Sequence, residues 1–468
     1  MSSDAIHRMS ATELVGRVRR KELSPVEVAE ATLRHVEALN PELNAFCTLT
    51  PEIAMAQARE AESAVMRGEA GPLCGVPFSV KDLLLTRGVR TMRGSHINAN
   101  FIPEEDAPVV TRLAQAGGIM LGKTTTPEYG WKGVTDSPLT GITRNPWNPA
   151  KTPGGSSGGA SAQVAAGMGP LAIGTDGGGS IRIPSAFTGI FGIKPTFGRV
   201  PVYPGSAHDM LSHTGPMTRT VADAALMLAV MAGPHPSDRL CLDGAPDDYV
   251  GRLGEGIQGL RVAWSADLGF ADVHPDVLQR CREALPAFEE AGCVVEEWTP
   301  DFPDCQDAFI HTYLGGLGAS LGSQLAKWRD QLDPGLVTCI EASLELTAGQ
   351  LTSAQIRRLQ YYDQMRLFFE RYDLLLTPAV AQPAFDVGRL TPDGSGDVAA
   401  MFGWTPFSYQ FNYTGHPAAS VPVGFTAGGL PVGLQIVGPR FADLRVLQAS
   451  AVLESMRPWA QHWPGMVS

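Results

Sequence analysis

Four serines, Ser156, Ser157, Ser161 and Ser180, stand in two glycine-rich runs, TPGGSSGGAS over residues 152–161 and GTDGGGSIRIP over 174–184. Glycine admits positive φ and lets other groups approach the backbone closely. Two such loops in succession suit a site where hydroxyls and backbone N–H groups converge on a reacting atom. That is the arrangement of acyl transfer, in which a serine attacks a carbonyl and N–H donors hold the oxyanion. Gly154–Gly158 also matches G-x-S-x-G, the nucleophile elbow of α/β-hydrolases. That turn must follow a strand, whereas residues 145–153 hold Pro146, Pro149 and Pro153 and read against a buried strand. A phosphate-cradling loop lacks its following Lys-Ser/Thr. A nucleophilic serine needs a base. His208 and His213 are the histidines nearest these loops. The other candidate is Lys81, at the end of the apolar run GVPFSVKD, where burial would favour the neutral amine.

The surrounding pattern is α/β. Before Gly71 the chain reads mostly as helix. Ser10-Ala-Thr-Glu13 and Ser24-Pro-Val-Glu27 are capping-box patterns, and Pro41 is expected to close the second helix. Thr50-Pro51 opens a third, running to Arg67. Short apolar runs at 76–80, 119–121 and 171–174 then read as buried strands, followed by a helix over 221–232. Residues 234–258 read as a linker or long surface loop. A second alternation places strands at 260–264, 293–298, 374–377, 419–425 and 432–437. Helices are expected over 275–290, about 305–370 and 444–454. The expected whole is one domain over 1–468, α/β with a large mixed sheet. It has a helical segment over 1–70, a core carrying the glycine loops over 71–232, and a second α/β part over 259–468.

The 468 residues carry a net charge of −12 and are 44% hydrophobic. That balance supports a sizeable core and disfavours nonspecific binding to nucleic acid or an anionic membrane. Seven widely spaced cysteines without a CxxC pair read as buried and reduced, with no zinc motif and no metal site expected. The N-terminus leads into an amphipathic pattern without an apolar leader, so a cytoplasmic protein is expected. The N-terminal helices are free to wrap the core or to build a homodimer.

GVPFSVKD, PGGSSGGASA and GTDGGGSIRIPSAFTGIFGIKP together resemble the amidase signature family. The resemblance extends through GPMTR (215–219), NYTGHPAASVP (412–422) and GLPVGLQIVG (429–438), from about residue 10 to 455. It implies a Ser–cis-Ser–Lys triad: Ser180 as nucleophile, Ser156 after a cis Gly155–Ser156 bond as proton relay, and Lys81 as base. It further implies an oxyanion hole of the N–H groups of Gly177, Gly178, Gly179 and Ser180, with no cofactor. Gly130 falls where relatives contact substrate through a carbonyl, with Tyr129 and Trp131 beside it. Ser157 is expected to hydrogen-bond the lysine, and Asp176 and Arg182 to hold the nucleophile loop.

The family includes subunits that hydrolyse glutamine for tRNA charging and grip its α-amino group with a carboxylate. Here residues 401–412, MFGWTPFSYQFN, hold no acid and five aromatics. The expected substrate is therefore a small apolar or aryl-bearing amide, or the related carbamate, the alternative being a glutamine-hydrolysing amidotransferase component.

Overall fold

The computed structural model describes residues 3–206, 208, 210–397 and 399–467. Thirteen strands follow in chain order: β1 (Phe46–Leu49), β2 (Pro77–Lys81), β3 (Ile119–Thr124), β4 (Asp136–Ser137), β5 (Gly141–Ile142), β6 (Leu171–Asp176), β7 (Phe191–Lys194), β8 (His213–Thr218), β9 (Arg261–Trp264), β10 (Val294–Glu297), β11 (Leu374–Pro378), β12 (Ala418–Phe425) and β13 (Pro431–Val437). Eleven of them form one mixed sheet, ordered β1-β3-β2-β6-β8-β7-β12-β13-β11-β9-β10, while β4 and β5 make a small hairpin. The neighbours β3, β2 and β6 run parallel, and β8, β7, β12 and β13 alternate antiparallel. Because β2, β3 and β13 are buried at every position, their sequences are largely apolar runs rather than alternations. Helices Gly158–Ala165 and Arg182–Thr188 pack on one another and on the sheet, while Val221–Met231 and Asp443–Met456 form a second packed pair against it.

Several expectations need correction. The helix Pro25–Leu43 runs through Pro41 and ends on Asn44 at φ 50°. Pro41 lies in its last turn, where the missing N–H removes one bond, and the buried Leu43 keeps that turn docked. The expected helix over 275–290 is two, Pro275–Arg282 and Leu285–Glu290, with Pro286 in the first turn of the second. The N-terminal segment also contributes edge strand β1, which pairs antiparallel with β3. Strands β7 and β8 escaped the sequence reading because glycines and prolines interrupt them. Ser24 forms its full capping box, but at Ser10 only the Glu13 N–H bond forms, because Glu13 pairs with Arg17 instead. The stretch 234–258 is largely turns, anchored by the fully buried Tyr249. The seven cysteines are free, and five are buried. No helix among the described residues is long and apolar enough to cross a membrane.

One ion pair ties the second glycine loop to the C-terminal part of the sheet. Asp176, closing β6, and Arg182 are both fully buried and 2.9 Å apart. Arg182 spends its five N–H groups on Asp176 twice, on Oδ1 of Asn412, on Oε1 of Gln435 and on the carbonyl of Ser408. Asp176 also accepts the N–H groups of Gly179 and Ile181 and the amide of Asn412. The guanidinium and these donors hold its carboxyl well below the usual range against the opposing cost of burial. Removing one partner of such a pair strands a buried charge, so Arg182→Met is expected to lower unfolding free energy by about 3–5 kcal/mol. Urea denaturation measures it, and a loss inside about 1 kcal/mol would contradict this role.

Candidate active site

Parallel strands β2 and β6 end side by side, and their carboxyl ends open into a cleft of about 420 Å³. Such ends are where open α/β sheets place their ligands. Lys81 closes β2 and is fully buried. Its Nζ is hydrogen-bonded to Oγ of Ser156 at 2.7 Å, Oγ of Ser157 at 2.8 Å and Oγ1 of Thr175 at 2.9 Å. Burial pushes its pKa well below the ordinary lysine value, and the more distant Asp176 opposes that only in part, its charge already being taken up by Arg182. Hydroxyls both donate and accept, so this surround satisfies a neutral amine and its lone pair.

Two other lysines are fully buried, and the contrast is informative. Lys123 donates to the Leu84 carbonyl and Thr91, with Asp82 at 3.6 Å, and burial brings it down to about 8 against that carboxylate. Lys194 donates to the carbonyls of Pro195 and His416. Neither meets a serine.

The serine loop is fitted by its glycines. The Gly155–Ser156 peptide is cis, as the resemblance implies. A Cβ on Gly155 would come within 2.6 Å of the Val134 carbonyl, and one on Gly158 within 2.3 Å of Thr135 Oγ1. Thr135 brackets the loop, donating to the Gly154 carbonyl at 2.8 Å and accepting the Gly158 N–H at 3.1 Å. Ser157 crosslinks it to β6, its hydroxyl donating to the Thr175 carbonyl.

Ser180 follows β6 in the second glycine loop and lines the cleft with Ser156, Thr175, Gly177 and Gly178. The Ser157 N–H donates to the Ser180 carbonyl at 3.2 Å, which sets the two loops side by side. Ser180 Oγ has no hydrogen-bond partner among the described residues. The N–H groups of Gly177, Gly178 and Ser180 likewise meet no acceptor among them. Gly179 departs from expectation, because its N–H is taken by Asp176 at 2.7 Å. Gly130, at φ 74°, abuts Ser156, for a Cβ there would lie 3.2 Å from Ser156 Oγ. Asp176 and Arg182 stay beneath the loop and do not reach the cleft.

His208 and His213 line the cleft yet bond none of these serines. His213 Nδ1 faces the carbonyls of Leu211 and Asp176. His208 stacks on Tyr313, and burial lowers it to about 4. The aromatic run over 401–412 divides. Met401, Phe402 and Thr405 face the cleft. Trp404 stacks on Phe187 in the core, Phe407 and Phe411 are buried, and Tyr409 bonds Asp304. Tyr129 and Trp131 both line the cleft, although Trp131 is only 2% exposed and its ring packs against Gly335. Thr175, Thr135 and Asn412 went unrecognised in the sequence, although polar residues inside runs of buried positions were the available signal. Tyr313, Leu317 and Leu321, which complete the apolar wall, lie in a helix with no motif.

The amidase family profile matches residues 27–447. This chain belongs to the amidase family. It is similar to an acylamidase of Rhodococcus erythropolis, 41% identical over 99% of this chain and 98% of that one. It is also similar to a component of the glutamyl-tRNA(Gln) amidotransferase of Methylococcus capsulatus, 36% identical over 99% and 100% of the two chains. Its structure matches a bacterial aryl acylamidase of the amidase signature family with a TM-score of 0.90 and 33% identity, covering 98% of each chain. As a member it is an amide C–N hydrolase.

Two substitutions test the geometry. Gly155→Ala displaces the serine loop from the Val134 backbone and is expected to lower kcat/KM on the order of 100-fold. Thr175→Val removes one partner of the lysine and is expected to cost about tenfold in kcat/KM with the fold retained by circular dichroism. Activity within twofold of wild type in both would contradict the assigned packing.

Proposed function

We propose that this protein hydrolyses small amides with apolar or aryl portions through an acyl-enzyme on Ser180. The observation that carries this reading is the buried Lys81 amine bonded only to hydroxyls, beside a serine whose Oγ is free in the cleft. Neutral Lys81 accepts the Ser156 proton as Ser156 accepts that of Ser180, and Ser180 Oγ attacks the amide carbonyl. The free N–H groups of Gly177, Gly178 and Ser180 take the oxyanion, each donor contributing about 3 kcal/mol to the barrier lowering. The proton returns through Ser156 to the leaving nitrogen, and water cleaves the ester by the same relay in reverse. Ser157 and Thr175 orient the amine. The Gly130 carbonyl, beside Ser156, meets the substrate amide.

Phe402, Tyr313, Leu317 and Leu321 supply an apolar wall for an acyl or aryl group. No carboxylate stands among the described cleft residues to grip an α-amino group, which favours a stand-alone hydrolase over a glutamine-hydrolysing subunit. Aryl carbamates present the same carbonyl to the same nucleophile and form the second substrate class. On this reading the enzyme works in the cytoplasm, as a single domain able to act alone or as a homodimer.

Two outcomes are expected. Purified protein turns over short-chain and aryl 4-nitroanilides or aryl carbamates, and Ser180→Ala abolishes it. Turnover of free glutamine alone, or activity surviving in Ser180→Ala, contradicts the proposal. Because the unprotonated amine is the base, kcat/KM should rise with pH and reach its plateau below the ordinary lysine value of 10.5. A profile flat across the neutral and alkaline range would remove Lys81 from the role.

A further inference from the structure

The cleft holds a cation that the hydrolytic machinery leaves unused. Arg93 lines it. Its Nε is buried without an acceptor, and its guanidinium makes no hydrogen bond or ion pair with any described residue. The Phe101 ring lies 6.0 Å from its guanidinium carbon. The other cleft cation, Lys132, is neutralised between Asp136 at 2.5 Å and Asp333 at 2.7 Å. Arg93 is therefore the one unpaired formal charge among the described cleft residues.

The backbone aims this side chain. Arg93 and Tyr129 both adopt φ above +50°, and each is followed by a glycine at positive φ, Gly94 and Gly130. Left-handed backbone is uncommon for non-glycine residues and collects where a side chain must be aimed. The two segments are stitched together, the Tyr129 N–H donating to the Arg93 carbonyl at 2.8 Å. A Cβ at Gly94 would meet the Thr126 carbonyl at 2.7 Å, so the segments lie in close contact. The Tyr129 hydroxyl donates to Asn98 Oδ1 at 2.6 Å, and the Asn98 amide N–H groups find no acceptor among the described residues. Arg93 and Asn98 thus line the same cleft with unspent donors, on the side of Gly130, which abuts Ser156.

We propose that Arg93, aided by Asn98, binds a carboxylate carried by the substrate away from its scissile amide. The preferred substrates are then amphiphilic: an apolar or aryl body against Phe402, Tyr313 and Leu317, and an anionic terminus at Arg93. A guanidinium suits that partner because it meets a carboxylate with two parallel hydrogen bonds. This rests on the amidase reading for the scissile bond but not for the binding preference.

The test is calorimetric titration of Ser180→Ala protein, which reads binding without turnover. Three ligands share one acyl length: pentanoic acid anilide, glutaric acid monoanilide with its carboxylate on the acyl chain, and 4-(pentanoylamino)benzoate with it on the amine. One of the two anions is expected to bind about tenfold or more tighter than the neutral anilide. Adding Arg93→Asn, a side chain that tolerates left-handed backbone, should bring that ratio to about one, and Arg93→Lys should restore part of it. A neutral anilide that binds as tightly as both anions, a preference that survives Arg93→Asn, or no binding of any ligand overturns the proposal. Parallel turnover assays on the wild type separate the two readings. A binding preference without hydrolysis refutes the amidase proposal and leaves this one standing. Hydrolysis without a charge preference does the reverse.

Discussion

A lysine amine buried without an adjacent carboxylate is the constraint on which this structure turns. Desolvation drives such a group toward its neutral form, and a counter-charge at contact distance would undo that. At Lys123, where Asp82 is near, the amine is pulled back toward its ordinary behaviour. At Lys81 three hydroxyls occupy the same shell, and Asp176, the acid that acts on it, is paired with Arg182. The buried amine and the knot beneath it are therefore one device. Asp176 organises the second glycine loop through the N–H groups of Gly179 and Ile181, and its pairing with Arg182 leaves it to compensate Lys81 only in part.

That division of labour also shows in the N–H groups of the second glycine loop. The four consecutive N–H groups of residues 177–180 split by function, Gly179 turning inward to Asp176 while the other three stay free. The Gly179 bond joins those of Ile181 to Asp176 and of Ser157 to the Ser180 carbonyl in anchoring the loop. The same knot binds the distant segment containing Ser408, Asn412 and Gln435, so the site is assembled by both halves of a single sheet.

Much of this was legible in the sequence, and the reasons are local. Lys81, Ser156 and Ser180 sit in long motifs whose glycines are demanded by contacts with Val134, Thr135 and Ser408. Strands β2, β3, β6, β11 and β13 read correctly because burial on both faces leaves uninterrupted apolar runs. Strands β7 and β8 did not, since Gly192, Gly215 and Pro216 resemble turn residues until their neighbours in the sheet are known. The aromatic run over 401–412 misled in part, for composition cannot tell Phe402, facing the cleft, from Trp404, packed on Phe187. Arg93 was invisible altogether. Its meaning lies in having no partner, which only the fold reveals.

The most direct measurement of the central claim is the ionisation of Lys81 itself, by NMR titration of lysine labelled with carbon-13 at Cε, assigned by loss of the signal in Lys81→Met. The Lys81 resonance is expected to titrate well below the 10.5 of an ordinary lysine. A Lys81 signal that titrates at or above 10.5 would mean the amine stays charged at working pH, and the relay built on it would fall.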